Sequence, residues 1–353
     1  MSFINNWLRA DIQALDAYHI QPAENLLKLD AMESPFSLTD GLEDKYLAHL
    51  SSADLRRYPS PDASELQQNL RKLMQIPAEL DMLLGNGSDE LIQLLCLACA
   101  SGDTVLSLEP SFVMYKMIAK FTHLNYQSVD LNADFELDLP LMLAAIKTHK
   151  PKLIFIAYPN NPTGNAFDRS AIEKIITSSA ALVVLDEAYY AYADDSFLAD
   201  IQKYPNLLLL RTVSKIGLAG LRLGLLIAEK GTIKQLDKLR LPYNIGGLTQ
   251  AAANFLLQEN STIATNAKII IRQRGELSKA LAAIDGLMVY PSQANFILFK
   301  APKADELFAY LRQNKVLIKN LSAAPKLTNC LRVTIGNSEQ NRQFISIVEG
   351  FYG

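Results

Sequence analysis

The sequence predicts an α/β protein, with a mostly parallel sheet between layers of helices and a smaller α+β domain at its C-terminal end. Apolar runs of strand length alternate with helix-like segments through the middle of the chain, which is the pattern of parallel sheets. The chain has 353 residues, more than one hydrophobic core usually serves, so two domains are expected. After a long amphipathic region at 249–284, short strands return around a single helix.

The individual elements follow from these patterns. Strands are predicted at 103–110, 152–159, 181–188, 206–214 and 221–228. Helices are predicted at 65–74, 89–100 and 169–179. The smaller domain is expected to contain strands at 287–300 and 330–336 and a helix at 304–313. We therefore predict an N-terminal arm (1–40), a large ligand-binding domain (41–248) and a small domain (249–353).

The charge composition favours small-molecule chemistry. Lys and Arg total 34 against 37 Asp and Glu, a net charge of −3, which provides neither a polycationic surface for nucleic acid nor a basic patch for anionic lipid. Charged residues interrupt the apolar positions of the N-terminus, unlike a signal or transit peptide. No apolar run reaches the roughly 20 residues of a membrane span. A soluble, cytoplasmic protein is expected.

The cysteines and histidines point away from disulfides and metals. Three cysteines in the chain are too few for a disulfide framework. Cys96 and Cys99 form a CxxC, but it lies in LIQLLCLACA, whose apolar character is typical of a buried helix rather than of a redox or zinc loop. The four histidines are scattered without ligand-like spacing. No metal site is expected.

Three of the predicted central strands end in polar residues of different kinds. Asn161, Asp186 and Lys215 follow successive apolar runs. Ligands of open parallel sheets bind beyond the carboxyl ends of the strands, so the three residues are expected at one site. In GNGSDE, at 85–90, glycines lead into Ser88 and Asp89 at a helix start, where free amides and the helix dipole favour a phosphate.

Each of these features has an alternative interpretation. Ser88 and Asp89 could be ordinary N-cap residues, and Asn161 lies in NNPTG, a turn sequence. Asp186 in LVVLDEAY resembles the acidic residue that holds magnesium in a P-loop ATPase. That class requires GxxxxGK[ST], and none of the 16 glycines is followed by lysine. The ATPase alternative is excluded.

Lys215 is the hardest of these residues to explain as structure. An unpaired ammonium at the end of a buried strand is costly, so a lysine there is usually present for its amine, and Schiff-base chemistry is the leading use. An aldehyde cofactor that also carries a ring nitrogen and a phosphate would account for the polar residues predicted near Lys215, because each could bind one of its groups. That cofactor is pyridoxal phosphate. Asp186 would pair with its ring nitrogen, and Asn161 and Tyr189 would bond its 3′-oxygen.

The phosphate of this cofactor has its own predicted residues. Ser214 and Arg222 would hold it together with the amides of Ser88 and Asp89, and the arginine fork would supply a bidentate contact. Lys215, Asp186 and Tyr189 are the predicted catalytic residues.

The chain resembles the fold type I pyridoxal-phosphate aminotransferases, and among them the histidinol-phosphate aminotransferase family most closely. Eight motifs carry the resemblance over nearly the whole chain: KLDAMESPF (28–36), RYPSPDASELQ (57–67), LLGNGSDELI (83–92), PSFVMY (110–115), YPNNPTG (158–164), DEAYY (186–190), SKIGLAGLRLG (214–224) and NCLRVTIG (329–336). The resemblance implies a homodimer with shared active sites. In it, Tyr58 would reach the cofactor phosphate of the neighbouring subunit, and Tyr115 would stack on the cofactor ring.

The resemblance also implies a reaction. Members of the family transfer the amino group of L-histidinol phosphate to 2-oxoglutarate, giving 3-(imidazol-4-yl)-2-oxopropyl phosphate and glutamate in histidine biosynthesis. Arg332 matches the family's anion-binding arginine, and a fork of this kind can bind either a phosphate or a carboxylate. Tyr18 matches a substrate-contacting tyrosine, and Asn295 is expected to face the site. Lys319 stands where many relatives have a second phosphate-binding arginine.

Two alternatives share the cofactor motifs: an aromatic amino-acid aminotransferase and a threonine-phosphate decarboxylase. The sequence separates these poorly from the first interpretation, because no set of residues tells which bond at the substrate Cα stands perpendicular to the cofactor ring. A regulatory protein that binds the cofactor without turnover is a third alternative. The presence of Lys215, Asp186 and Arg222 argues against it.

Overall fold

The computed structural model describes residues 3–15, 17 and 21–353. Its helices are α1 (Phe3–Trp7), α2 (Ala10–Gln13), α3 (Glu43–Ser51), α4 (Ser64–Leu73), α5 (Gly87–Leu97), α6 (Val113–Phe121), α7 (Leu139–His149), α8 (Arg169–Ser178), α9 (Lys230–Leu236), α10 (Gly247–Leu256), α11 (Asn260–Ala282), α12 (Ala304–Gln313) and α13 (Ser338–Tyr352). Its strands are β1 (Leu27–Lys28), β2 (Leu80–Asn86), β3 (Thr104–Glu109), β4 (Asn125–Asp130), β5 (Leu153–Ala157), β6 (Leu182–Asp186), β7 (Leu207–Thr212), β8 (Leu223–Glu229), β9 (Met288–Val289), β10 (Phe296–Lys300), β11 (Val316–Leu317), β12 (Lys319–Asn320) and β13 (Cys330–Thr334).

The predicted α/β architecture is confirmed. Within the described residues, seven strands form one sheet in the order β2-β8-β7-β6-β5-β3-β4, in which β8 alone runs antiparallel to its neighbours. The five predicted strands of this sheet are all present, with ends within two residues of those expected. The amphipathic region at 249–284 divides into two helices, α10 and α11.

Helices cover both faces of the large sheet, which explains why its central strands are apolar throughout. Ile154 and Ile156 of β5 face one core, whereas Leu153 and Phe155 face the core on the other side. Strands buried on both faces read as continuous apolar runs because neither set of alternating side chains meets water. Cys96 lies in the second of these cores, which confirms the core interpretation of the CxxC.

Local sequence signals start several of the helices. The side chain of Asp138 accepts a hydrogen bond from the amide of Leu141 and caps α7, and Asp168 caps α8 in the same way through Ala171. Asn337 and Gln340 form a reciprocal capping box at the start of α13. No helix among the described ranges has the length and apolar character needed to cross a membrane.

A second sheet, with strand order β12-β13-β10-β9, forms the smaller domain near the C-terminus. Contacts of two segments cross the predicted domain boundaries. Leu27–Lys28, in the predicted arm, pairs in parallel with Val316–Leu317. Beyond residue 248, Ala253 and Leu256 of α10 pack in the same core as Leu66 of α4. Residues of α10 therefore share a core with α4.

Candidate active site

The carboxyl ends of β2, β5, β6 and β7 lie at the same edge of the large sheet as the amino end of β8. This follows from the pairing of the strands, because β8 is the strand that runs the opposite way. A cavity of about 580 Å³ lies at this edge. Predicted residues that line it are Ser88, Asp89, Asn161, Asp186, Tyr189, Ser214, Lys215 and Arg222. The three polar residues predicted to lie together, Asn161, Asp186 and Lys215, therefore line one cavity.

Lys215 occupies a short 3-10 turn, Ser214–Ile216, which one residue separates from the end of β7. Its Nζ donates a hydrogen bond of 3.3 Å to the carbonyl oxygen of Ala31. Burial lowers the pKa of the Lys215 amine to about 8, and the positive charges of Arg332 and Arg222 act in the same direction. A larger fraction of this amine is therefore neutral at physiological pH than of an exposed lysine, and the neutral amine is the nucleophilic form.

Because of its lowered pKa, the Lys215 amine should react with acylating reagents at lower pH than the amines of exposed lysines do. In the ligand-free protein, acetylation of Lys215 by acetic anhydride, followed by mass spectrometry, should accelerate as pH rises through about 8 and level off above it. The sign follows because only the deprotonated amine reacts, and its fraction grows up to the pKa. Exposed lysines serve as internal controls and should accelerate up to about pH 10.4. A Lys215 rate that still climbs with the exposed lysines would contradict the assignment.

Asp186 is the last residue of β6 and is almost completely buried. Its Oδ2 accepts a hydrogen bond of 2.8 Å from the hydroxyl of Tyr115, and its Oδ1 accepts one of 3.1 Å from the amide of Ala188. Burial raises the pKa of Asp186 to about 6, against the effect of both hydrogen bonds. No ion pair to it forms among the described residues. A buried carboxylate in this state suits a cationic group on a ligand.

Tyr115, expected to stack on the cofactor ring, does not line the cavity. It is completely buried, and its ring stacks on Phe155 with the centroids 4.9 Å apart and the planes 6° from parallel. It therefore does not present its face to the cavity. The aromatic residue of this segment that lines the cavity is Phe112, which precedes α6 and meets Tyr115 edge-on. The physical reason is that Tyr115 is on the core-facing side of α6, whereas Phe112 is at the open N-terminal end of that helix.

The N-terminus of α5 forms a close-packed cradle with Arg222. Gly87 begins this helix with φ +79°, and a Cβ on it would lie 2.7 Å from a guanidinium nitrogen of Arg222. A Cβ on Gly224 would lie 2.5 Å from the carbonyl carbon of Gly87. Arg222 also lies 3.5 Å from the carboxylate of Asp89. The first amides of a helix lack intrahelical partners, so the cradle combines these donors with a guanidinium and suits an anion.

Arg332 of β13 is another cation near the cavity. It is 7% exposed, hydrogen-bonds the side-chain oxygen of Asn161, and donates a 3.0 Å hydrogen bond to the carbonyl oxygen of Asp30. Its guanidinium lies 5.2 Å from the ring centroid of Phe296. Lys319 is directly opposite Arg332 in the antiparallel pair of β12 and β13, so the two side chains share one face of the small sheet. Both cations are thus available on that face.

Tyr58 and Asn295 do not line the cavity. Tyr58 is 81% exposed and stacks on Tyr243 with the centroids 4.6 Å apart. Asn295 is completely buried and donates a 2.9 Å hydrogen bond to the carbonyl oxygen of Met32, so it supports the wall from behind. Tyr18 lies outside the described residues.

One part of the wall was not predicted from the sequence, the segment 31–33. Hydrogen bonds from the small domain hold it: the amide of Met32 donates to Thr334, and its carbonyl oxygen accepts from Asn295. Glu33 lines the cavity and pairs with Lys28 at 2.7 Å. The segment lies within the motif KLDAMESPF, which was the available signal.

Comparison with known proteins gives a consistent set of relatives. The sequence profile of the family described as Aminotransferase class I and II matches residues 24–348. A histidinol-phosphate aminotransferase of Vesicomyosocius okutanii is 67% identical over 352 residues, which cover 100% of this chain and 99% of that protein. Histidinol-phosphate aminotransferase 2 of Nitrosococcus oceani is 46% identical over 350 residues, with 98% and 97% covered.

A solved structure has the same fold. The histidinol-phosphate aminotransferase of Sinorhizobium meliloti, in complex with pyridoxal-5′-phosphate, superposes with a TM-score of 0.86 over 97% of this chain and 96% of that chain. The two sequences are 22% identical, so this likeness concerns the fold alone.

Proposed function

The chain belongs to the class I and II aminotransferase family, and on that premise we propose that it is a pyridoxal-phosphate-dependent histidinol-phosphate aminotransferase. It transfers the amino group of L-histidinol phosphate to 2-oxoglutarate, giving 3-(imidazol-4-yl)-2-oxopropyl phosphate and L-glutamate in histidine biosynthesis. The observation that carries this proposal is the juxtaposition of a buried amine, Lys215, and a buried carboxylate, Asp186, in one cavity beside an anion cradle. The 67% identity over the whole chain supports the choice of substrate.

The residues of the cavity fit this cofactor. Asp186 is a buried carboxylate that forms no ion pair among the described residues, as a partner for a protonated ring nitrogen should be. The cradle requires glycine at positions 87 and 224, because a Cβ on Gly87 would clash with Arg222 and a Cβ on Gly224 would clash with the backbone of Gly87. When bound, pyridoxal phosphate supplies an electron-withdrawing ring that stabilises negative charge at the reacting carbon of the substrate.

The roles of the residues around the cofactor follow from this fit. The Lys215 amine would hold its aldehyde carbon. Ser214, Arg222 and the amides of Ser88 and Asp89 would hold its phosphate. Asn161 and Tyr189 would hydrogen-bond its 3′-oxygen.

Lys215 also has the properties of a proton carrier for the reacting carbon. Its low exposure and the nearby guanidinium groups bring the pKa of its amine to about 8, close to neutral pH. A group of this kind can both accept and return a proton without a large barrier in either direction. It follows β7, a strand in the interior of the large sheet, so its position is fixed relative to Asp186 on the neighbouring strand β6.

Arg332 and Lys319 would bind the anionic groups of the substrates. The planar fork of Arg332 can hold the phosphate of histidinol phosphate in one half-reaction and the carboxylate of glutamate in the other. Lys319, opposite it on β12, would add a second contact to the phosphate. Tyr18 remains a proposed substrate contact, and Asn295 would act on the site only through its hydrogen bond to Met32.

Measurement of the two half-reactions separately tests this proposal. Arg332→Ala should weaken both, by about 2 to 5 kcal/mol each, because each loses a desolvated charge pair. Lys319→Ala should slow the histidinol phosphate half-reaction by about 10-fold and leave the glutamate half-reaction close to wild type, since only the phosphate offers a further anionic oxygen. Stopped-flow absorbance of the holoenzyme follows both.

Lys300→Ala is the matched control, because Lys300 is an exposed lysine of the same sheet that pairs with Cys330 rather than with Arg332. It should leave both half-reactions unchanged. Equal losses for the two substrates in Lys319→Ala would contradict the phosphate-specific role.

We also propose that the enzyme is a cytoplasmic homodimer. Large apolar side chains are exposed around Tyr58: Leu55 is 70% exposed and Leu241 72% exposed. A partner subunit would cover them, and Tyr58 would then contact the cofactor phosphate of that subunit. Sedimentation velocity of the full chain at micromolar concentration should give a dimer. A monomer under these conditions would contradict the proposed assembly.

A further inference from the structure

The hydroxyl of Tyr115 contacts Asp186 from behind the cavity wall. Tyr115 is completely buried, and its hydroxyl lies 2.8 Å from Asp186 Oδ2. Burial raises the pKa of Tyr115, so its hydroxyl stays protonated and remains a donor. Tyr115 does not line the cavity, and it therefore acts on a ligand only through Asp186.

Aromatic packing fixes the position of this donor. The Tyr115 ring lies between Phe155 of β5, on which it stacks, and Phe112, which meets it edge-on at 5.5 Å between centroids. Such packing restricts the ring, so the hydroxyl is held in place at small entropic cost. Loss of the hydroxyl alone would leave this packing intact.

The groups around Asp186 divide into those that favour its charge and those that oppose it. Lys215 and the hydrogen bonds from Tyr115 and Ala188 favour the carboxylate, whereas burial and the negative charge of Asp89 oppose it. Tyr189, a titratable residue of the segment after β6, is buried, and burial raises its pKa, so its phenol stays neutral. Tyr115 is the one side chain that donates a hydrogen bond to Asp186 within the described part of the chain.

A buried carboxylate and a ring nitrogen that share one proton can exist as an ion pair or as two neutral groups. Low polarity favours the neutral pair, because separated charges are poorly solvated there. A hydrogen bond donated to the carboxylate favours the ion pair. Only the protonated ring withdraws electrons strongly, so the position of this proton determines the rate of the chemistry.

We propose that Tyr115 is a positioning residue that keeps Asp186 ionised and oriented, so that the shared proton stays on the ring nitrogen of the cofactor. This inference rests on the proposed function, which supplies the ring. Tyr115 itself touches neither substrate nor cofactor.

Tyr115→Phe tests the inference in the holoenzyme reconstituted with ¹⁵N-labelled pyridoxal phosphate. The ring-nitrogen NMR shift should move from the protonated toward the neutral value. The glutamate half-reaction should slow by about 10- to 100-fold, the usual effect of losing one hydrogen bond to a charged group, with KM nearly unchanged. A merely structural role would move neither the nitrogen shift nor the rate at constant KM.

Two further variants keep the test decisive. 4-Fluorophenylalanine at position 115 fills the space of the hydroxyl without donating, and it should reproduce the effect even if Tyr115→Phe folds poorly. Tyr126→Phe is the control for loss of a partly buried phenol that packs against the same core, and it should keep the wild-type shift and rate.

The outcomes separate this inference from the proposed function. A wild-type chain that neither binds pyridoxal phosphate nor transfers an amino group overturns both. An active wild type with an unchanged nitrogen shift and rate in the Tyr115→Phe and 4-fluorophenylalanine variants overturns the role of Tyr115 alone.

Discussion

Lys215→Ala is expected to reduce turnover by about 10⁴-fold or more, with the loss of the visible absorption band of the holoenzyme. The variant removes the amine that we propose both holds the cofactor and carries the proton for the reacting carbon, and general base catalysis alone contributes up to about 10⁴-fold. The absorption spectrum, the cofactor content by mass spectrometry and the steady-state rate with histidinol phosphate measure these losses.

Two controls show that the effect belongs to the amine at this position. Lys215→Arg keeps the positive charge but cannot deprotonate, so it should be nearly as inactive as Lys215→Ala. Lys230→Ala removes an exposed lysine at the start of α9 and should behave as wild type. Normal multiple turnover in Lys215→Ala would disprove the mechanism.

Asp186→Ala is expected to slow each half-reaction by about 10²- to 10³-fold while substrate affinity changes little. In the proposed mechanism the carboxylate stabilises charge that grows only as the proton leaves the substrate carbon, so its loss should lower the rate rather than weaken binding. Single-turnover rates at several substrate concentrations separate these two quantities.

Conservative variants refine this test of Asp186. Asp186→Glu should retain part of the rate because a carboxylate remains. Asp186→Asn preserves the shape and removes the charge, so it should resemble Asp186→Ala. An Asp186→Ala enzyme with a raised KM and an unchanged maximal rate would show that Asp186 binds substrate and does not pair with the ring.

The centre of the site could be predicted from the sequence because polar residues interrupt apolar runs there and because parallel strands share one direction. β5, β6 and β7 are buried on both faces, so a polar residue after each apolar run stands out. Parallel strands bring their carboxyl ends to one edge, and this rule is sufficient to bring Asn161, Asp186 and Lys215 together. Neither step requires knowledge of distant contacts.

The periphery of the site could not be predicted because contacts between distant parts of the sequence determine it. Hydrogen bonds from Asn295 and Thr334 position the segment at 31–33, although each donor or acceptor is more than 260 residues away along the chain. The choice between Phe112 and Tyr115 as the aromatic residue at the cavity depends on where α6 begins, and a boundary of this kind is the least certain part of a sequence-based prediction.

The measurement that tests the proposed function most directly is a steady-state comparison of amino donors to 2-oxoglutarate. With purified holoenzyme, kcat/KM is determined for L-histidinol phosphate, phenylalanine and tyrosine under one set of conditions, and the products are identified by mass spectrometry. We expect histidinol phosphate to be preferred by at least about 100-fold, since only it gives Arg332 and Lys319 a phosphate to bind. A preference for phenylalanine or tyrosine, or release of carbon dioxide from a phosphorylated amino acid at a comparable rate, would contradict the assignment.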